Sequence, residues 1–230
     1  MNRSVEDNFL TVLKSLRDED PGALYQYFNE DREALRARLK EIAYHEAGHV
    51  AARVFTWQEP SHICQISIMP KAESMGRVTI ERPSVMCIVE SGGYSDSIRR
   101  AQGYQLLLFL LAGDMAAEAA TGDLADFDLD EWFDDFIDED GTDAAQARRV
   151  AGAMSKPGWP SYKILDTARR WTAEMLMLPE VWQHIEGLAN RLLDIGVVIG
   201  TDLDAFLSDS ATLGLSMRLP KWRRRLHSVK

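Results

Sequence analysis

The stretch AYHEAGHV, residues 43–50, constrains this chain more than any other, because it carries two histidines four residues apart with a glutamate between them. The pattern around it predicts one long helix that begins near Asn29 or Asp31 and continues past both histidines. Residues four apart on a helix lie on one face, so His45 and His49 are expected to point the same way. The apolar residues that recur at helical spacing are Leu35, Leu39, Ile42, Val50 and Val54.

Two imidazoles on one helix face can bind the same metal ion, and Glu46 can reach a water at that ion without being a ligand. Zinc is the expected metal, because two histidines and one carboxylate leave a fourth position open for water. Zinc lowers the pKa of such a water and polarises a carbonyl, while Glu46 would act as the general base. The motif arises by chance in roughly 1% of chains of this composition, so a helix with two unrelated histidines is the weaker alternative.

A third ligand is needed, and the remaining histidines do not supply it. The metzincin pattern requires a glycine and a histidine three and six residues after the second histidine, where this chain has Ala52 and Phe55. His62, His184 and His227 fall in no ligand pattern and are expected to be surface or core-edge residues. An acidic side chain is therefore the expected third ligand.

The rest of the chain predicts a mainly α fold with a small β-sheet, which is an α+β class. Apolar and polar residues alternate in ICQISIMP, from residue 63, and GRVTI at 76–80 is typical of a second strand. Either strand could offer an edge to an extended peptide, and Ile66, Ser67, Ile68 and Gly76 are the predicted substrate contacts. Further helices are predicted at 4–17, 97–120, 143–154, 161–178, 180–194 and 201–207.

Composition narrows the function classes. The net charge of −10 argues against nucleic acid as a partner. Cys64 and Cys87 form no CxxC pair and cannot build a four-cysteine zinc site, which favours a reducing, cytoplasmic location. The longest apolar run, LLLFLLAG at 106–113, is too short to span a bilayer and predicts the middle of a buried helix.

Several segments resemble, in the same order along the chain, parts of the peptidase domain of the FtsH-type zinc proteases, the M41 family. The resemblance covers roughly residues 38–208. It is carried by AYHEAGHVAARV, by ISIMP followed by GRVTI, by LLAGDMAAEAATG, by GTDAAQARRVAGAMS, and by SYKILDTARRWTAEML with IEGLANRLLDIGVVIGTDLDAFL. It implies an M41-like HExxH metallopeptidase fold, which is mostly helical.

The resemblance also implies the third zinc ligand. In the family it is the aspartate of an Asn-Asp pair, which corresponds here to Asp143, preceded by Thr142 in place of the asparagine. Asp143 stands in the first turn of a predicted helix, where exposed amides favour a negative charge. A simple helix-capping role for Asp143 is the alternative, and Asp140, Glu139 and Glu118 are the reserve ligands.

FtsH-type proteases also carry an ATPase module, which this chain is not expected to have. It contains no Gly-Lys dipeptide and therefore no phosphate-binding loop. The expected activity is an ATP-independent zinc metalloendopeptidase that cleaves peptides or unfolded protein segments. The alternatives are a catalytically idle module that binds or regulates a partner, and a peptidase served by a separate ATPase. Self-association into a homo-oligomer stays open.

Two charged segments flank or interrupt the predicted domain. Residues 123–143 carry eleven acidic side chains and predict an acidic amphipathic helix, which either packs on the domain or forms a lid or docking element. The basic C-terminus is either a solvated end or a partner for the acidic helix or an anionic lipid. The predicted organisation is a helical extension (1–30), a zinc peptidase domain (31–215) with an acidic insertion (123–142), and a basic tail (216–230).

Overall fold

A sheet of three short strands lies among seven helices in the part of the chain that the computed structural model describes. The described residues are 3–19, 32–56, 63–70, 76–80, 89, 95–122 and 142–216. The expectation of a mainly helical α+β chain with a small sheet is confirmed. The predicted acidic helix, all of the acidic insertion except Thr142, and almost all of the basic tail lie outside the described residues.

The helices and strands follow the predicted order with one addition. The helices are α1 (Arg3–Glu19), α2 (Arg32–Thr56), α3 (Asp96–Thr121), α4 (Asp143–Met154), α5 (Ser161–Leu176), α6 (Pro179–Ile195) and α7 (Gly200–Ser216). The strands are β1 (Ile63–Ser67), β2 (Arg77–Ile80) and β3 (Val197–Ile199). The last helix is longer than the predicted 201–207, and β3 has no counterpart among the predicted elements.

The sheet has the order β2-β1-β3 and both of its pairs are antiparallel. Ile66 at its centre pairs with Val78 on one side and Val198 on the other. The third strand follows Gly196, whose φ of 77° ends α6 and turns the chain back toward β1. A run of three apolar residues is too short to predict a strand by periodicity, so only its partner β1 makes it one.

Helices α2 and α3 pack antiparallel along their length and form the centre of the core. Lys40 donates to the carbonyl of Ala120 near one end, and farther along α2 Gly48 meets the carbonyl of Ala112. Helix α1 joins the same core through Val5 and Phe9. The apolar run at 106–113 lies inside α3, as expected, and its buried side chains include Leu107, Leu108, Leu110 and Leu111.

Among the described residues, no helix combines the length and the apolar character that crossing a membrane would require.

The contact of Gly48 with α3 should make this position intolerant of any side chain. A Cβ at Gly48 would overlap the backbone carbonyl of Ala112 and lie 2.7 Å from the Cβ of Ala116. We expect Gly48→Ala to destabilise the fold by roughly 1–3 kcal/mol, because the two helices must separate. Gly187, also inside a helix, has open space around it, so Gly187→Ala should stabilise by up to about 1 kcal/mol. Urea unfolding measures the free energy of unfolding of both variants. Equal changes in the two variants would contradict the close approach of α2 and α3 at Gly48.

His184 lies in the core, which makes the stability of the fold depend on pH. Its side chain on α6 is 7% exposed, and its ring lies 5.9 Å from that of Phe55 and 4.2 Å from that of Phe206. Burial lowers the pKa of His184 to about 4. In the unfolded chain the pKa of His184 has its ordinary value of about 6.5. At a pH between these two values, His184 is therefore protonated in the unfolded chain and neutral in the folded protein.

The contribution of His184 to stability should therefore be complete above pH 6.5 and lost as the pH falls toward 4. The expected loss is about 3 kcal/mol in total. Urea unfolding of the metal-free chain at pH 7 and at pH 4.5, for the wild type and for His184→Leu, isolates this effect. Equal pH dependence in the two proteins would show that His184 does not cause it.

Candidate metal centre

The two histidines of the HEAGH segment meet on one face of α2. The Nε2 atoms of His45 and His49 lie 2.9 Å apart, which is close enough for both to bind one ion. Both side chains turn toward α3, since each ring has its Nδ1 near an oxygen of that helix. The predicted helical placement of the motif is confirmed, because α2 runs from Arg32 to Thr56 without interruption.

Asp143 brings a carboxylate from α4 to the same point. Its Oδ2 lies 3.0 Å from Nε2 of His49 and 3.5 Å from Nε2 of His45. Asp143 is the first residue of α4, and the hydroxyl of Thr142 accepts a hydrogen bond from the amide of Ala145. The cap of this helix is therefore Thr142, which leaves the Asp143 carboxylate to face the histidines.

The Nδ1 atoms fix which way the histidine lone pairs point. Nδ1 of His49 lies 2.7 Å from the carbonyl oxygen of Phe109, and Nδ1 of His45 lies 2.9 Å from Oδ1 of Asp114. A carbonyl and a carboxylate accept hydrogen bonds, so both Nδ1 atoms carry the proton that they donate. In the neutral ring the lone pair is then on Nε2, on the side that faces Asp143.

The spacing of the three atoms fits a zinc ion. Ligand atoms at tetrahedral corners, about 2.0–2.1 Å from zinc, lie about 3.3 Å from one another. The three separations here are 2.9, 3.0 and 3.5 Å. His45, His49 and Asp143 are also the one group of potential metal ligands that the described residues bring together. Three electron-pair donors this close need positive charge between them, which a metal ion or bound protons can supply.

Gly113 of α3 leaves the space that this arrangement uses. A Cβ at that position would lie 2.6 Å from Nε2 of His49 and 2.8 Å from Cε1 of His45. Any larger residue would push the imidazoles out of place. The close approach at Gly48 also helps to form the site, because it brings the backbone of α3 against α2, the helix that carries both histidines.

The pKa values of the three groups show that the centre favours positive charge. Burial lowers the pKa of His45, but hydrogen bonds to Asp114 and Asp143 raise it well above its ordinary value. Burial also lowers the pKa of His49, but the charge of Asp143, the hydrogen bond to it and the charge of Glu46 together raise it above its ordinary value. Burial would raise the pKa of Asp143, yet the charge of His49 and hydrogen bonds with both rings bring it below its usual range. Because a metal binds only deprotonated ligand atoms, protons and a metal ion compete for this centre.

Glu46 lies beside this centre in a buried position. It is 4% exposed, and a Cβ at Gly76, next to the first residue of β2, would lie 2.5 Å from its Oε1. Burial raises the pKa of Glu46, and the charges of His45 and His49 lower it in part. A carboxyl group in this environment can take up a proton more readily than an exposed one.

The predicted substrate contacts occupy different positions. Ile66 and Ser67 belong to the central strand, whose backbone pairs on both sides, and Ile68 donates to the carbonyl of Gly196. A peptide therefore cannot add to β1 as a further strand. Of the four, only Gly76 stands next to an outer strand of the described sheet, and a side chain at that position would meet Glu46.

Of the reserve ligands, Glu118 is exposed on α3 and is not part of the metal-ligand group. Asp140 and Glu139 lie outside the described residues. Sequence reasoning missed Asp114, the residue that directly follows the apolar run at 106–113. A single acidic residue in the apolar stretch of α3 was the signal that could have pointed to it.

The histidine pair, Asp143 and Glu46 form a site of the type that the HExxH motif predicts, although a site does not identify a family. No protein-family model matches this chain and no curated protein matches it, so its resemblance to the FtsH-type proteases rests on its sequence motifs alone.

Proposed function

We propose that this chain is a zinc metalloendopeptidase with an M41-like fold, which cleaves peptides or unfolded protein segments without ATP. The observation that carries the proposal is the convergence of Nε2 of His45, Nε2 of His49 and Oδ2 of Asp143 within 3.5 Å. The Nδ1 atom of each ring, on the side away from the three converging atoms, is hydrogen-bonded to α3, which is the usual arrangement of histidines that bind a metal.

The number of ligands favours catalysis over a purely structural ion. Structural zinc sites are usually closed by four protein ligands, whereas catalytic sites have three and leave one position for water or substrate. The described residues supply three ligands, His45, His49 and Asp143. Glu46 adds an acid–base group that a structural site would not need.

When bound, zinc would polarise the substrate carbonyl and lower the pKa of the attacking water. Glu46 accepts a proton from that water while the oxygen of the water forms a bond to the carbonyl carbon. When the C–N bond breaks, Glu46 donates the proton to the amine nitrogen, which restores its carboxylate. The raised pKa of Glu46 suits both steps, because a buried carboxylate takes up the proton of the water more readily than an exposed one.

The outer strand β2 offers a place for the peptide. An extended peptide can add to a sheet edge through backbone hydrogen bonds, which demand little of its sequence. Gly76 precedes this strand and touches Glu46, so a peptide along β2 would pass the general base. Most backbone groups of a folded domain are already paired within it, so unfolded segments are the expected substrates.

Metal analysis combined with protein digestion tests the proposal. We expect about one zinc ion per chain, cleavage of unfolded casein, and loss of that cleavage when EDTA removes the metal. Added ATP should change nothing, because the sequence has no phosphate-binding loop. Zinc without cleavage would favour the idle binding module, and stimulation by ATP in a pure preparation would contradict the ATP-independent activity.

A further inference from the structure

The two histidines of the metal centre are held unequally. The side chain of His49 is 6% exposed, and its Nδ1 donates to the backbone carbonyl of Phe109. The side chain of His45 is 26% exposed, and its Nδ1 faces the carboxylate of Asp114 at 2.9 Å. Both acceptors come from α3, five residues apart, on either side of the glycine that leaves room for the rings.

His45, the more exposed of the two histidines, makes the stronger hydrogen bond. A hydrogen bond to a carboxylate is roughly twice as strong as one between neutral groups. His49 is held by its surroundings and needs only a carbonyl to fix its proton. The ring of His45 is less enclosed, so its orientation depends more on the group at Nδ1.

We propose that Asp114 is a positioning residue of the metal centre. Its carboxylate holds the Nδ1–H of His45, so that Nε2 presents its lone pair toward His49 and Asp143. It also places a negative charge behind the ring, which makes the imidazole a better donor to a cation. This inference rests on the proposed function, because it assumes that an ion binds between the three ligand atoms.

Asp114 does not compete with Asp143 for the role of third ligand. It approaches His45 at Nδ1, whereas the three converging atoms include Nε2, on the other side of the ring. The two aspartates therefore act at opposite ends of one imidazole. Asp143 lies in the centre, and Asp114 orients a ligand from outside it.

Competition between a chelator and the purified chain for added Zn²⁺ measures this role without using enzyme activity. Asp114→Ala should lower the affinity for zinc by about 10- to 100-fold. Asp114→Asn should fall between Asp114→Ala and the wild type, because the amide oxygen can accept the same proton but carries no charge. Glu118→Ala is the matched control on the same helix: its side chain is exposed, so its zinc affinity should equal that of the wild type.

A second measurement separates positioning from general damage to the fold. In ¹⁵N-histidine-labelled protein, the exchangeable Nδ1 proton of His45 should lose its downfield shift in Asp114→Ala, while that of His49 stays unchanged. Zinc affinity within about threefold of the wild type in Asp114→Ala would overturn the proposal, since outer partners of ligands are typically worth more. A wild-type chain that binds zinc but cleaves nothing contradicts the proposed function, and the affinity ratio still decides the role of Asp114. A wild-type chain that binds no zinc contradicts both.

Discussion

Replacing Glu46 with glutamine should leave zinc bound and slow peptide cleavage by orders of magnitude. The side chain keeps its shape, and neither histidine nor Asp143 changes, so the metal content should stay near that of the wild type. The amide cannot accept the proton of the attacking water. The rate of cleavage should therefore fall by about 10²- to 10⁴-fold, the usual contribution of a general base. Zinc content and digestion of an unfolded protein are measured on the same preparation.

Glu118→Gln is the control for removing one carboxylate from this acidic chain. Glu118 is exposed on α3, away from the metal-ligand group, so its variant should cleave at the wild-type rate. If Glu46→Gln still cleaves well, Glu46 is not the base. If both variants lose activity together, the loss comes from the charge of the chain and not from the position of Glu46.

Asp143→Asn should weaken zinc binding more than any other single change of a carboxylate in this chain. A neutral amide is a poor zinc ligand, and the centre would also lose the one negative charge among its three ligand atoms. Changes to outer partners of a ligand cost about 10- to 100-fold in metal affinity, and loss of a direct ligand should exceed that range. Zinc retention against a chelator, with circular dichroism to check folding, measures the effect.

Asp140 and Glu139, near Asp143 in the sequence, and Glu118 on α3 provide the comparison. Asp140→Asn, Glu139→Gln and Glu118→Gln should each hold zinc nearly as well as the wild type. An Asp143→Asn protein with wild-type zinc affinity would contradict the ligand assignment. If one of the other variants lost zinc instead, that residue would be the third ligand.

Local pattern was enough to predict most of the helices and two of the strands. The spacing of Leu35, Leu39 and Ile42 places the histidines on a helix, and the alternation after Ile63 predicts β1. Neither of these two predictions needs information about residues far away in the sequence. The strand at Val197–Ile199 was missed, because three residues carry no periodicity and only pairing with β1 defines it.

The meeting of Asp143 with the histidines could not be derived from the sequence in the same way. Asp143 lies 94 residues after His49 along the chain, and its neighbours are acidic as well. The family resemblance singled it out, and the packing of α4 against α3 brings its Oδ2 to 3.0 Å from Nε2 of His49. No local rule distinguishes it from the acidic residues just before it.

By itself, the sequence predicted the class of chemistry that we propose, since two histidines and a glutamate at HExxH spacing on a helix suit a metal-dependent hydrolase. It also determined that this helix lies beside a small sheet in a mainly helical chain. The tertiary structure decided which atoms face the centre. The orientation of His45 and His49 depends on Asp114 and on the carbonyl of Phe109, and both belong to another helix. Such contacts depend on how closely α2 and α3 approach, and helical periodicity carries no information about that distance.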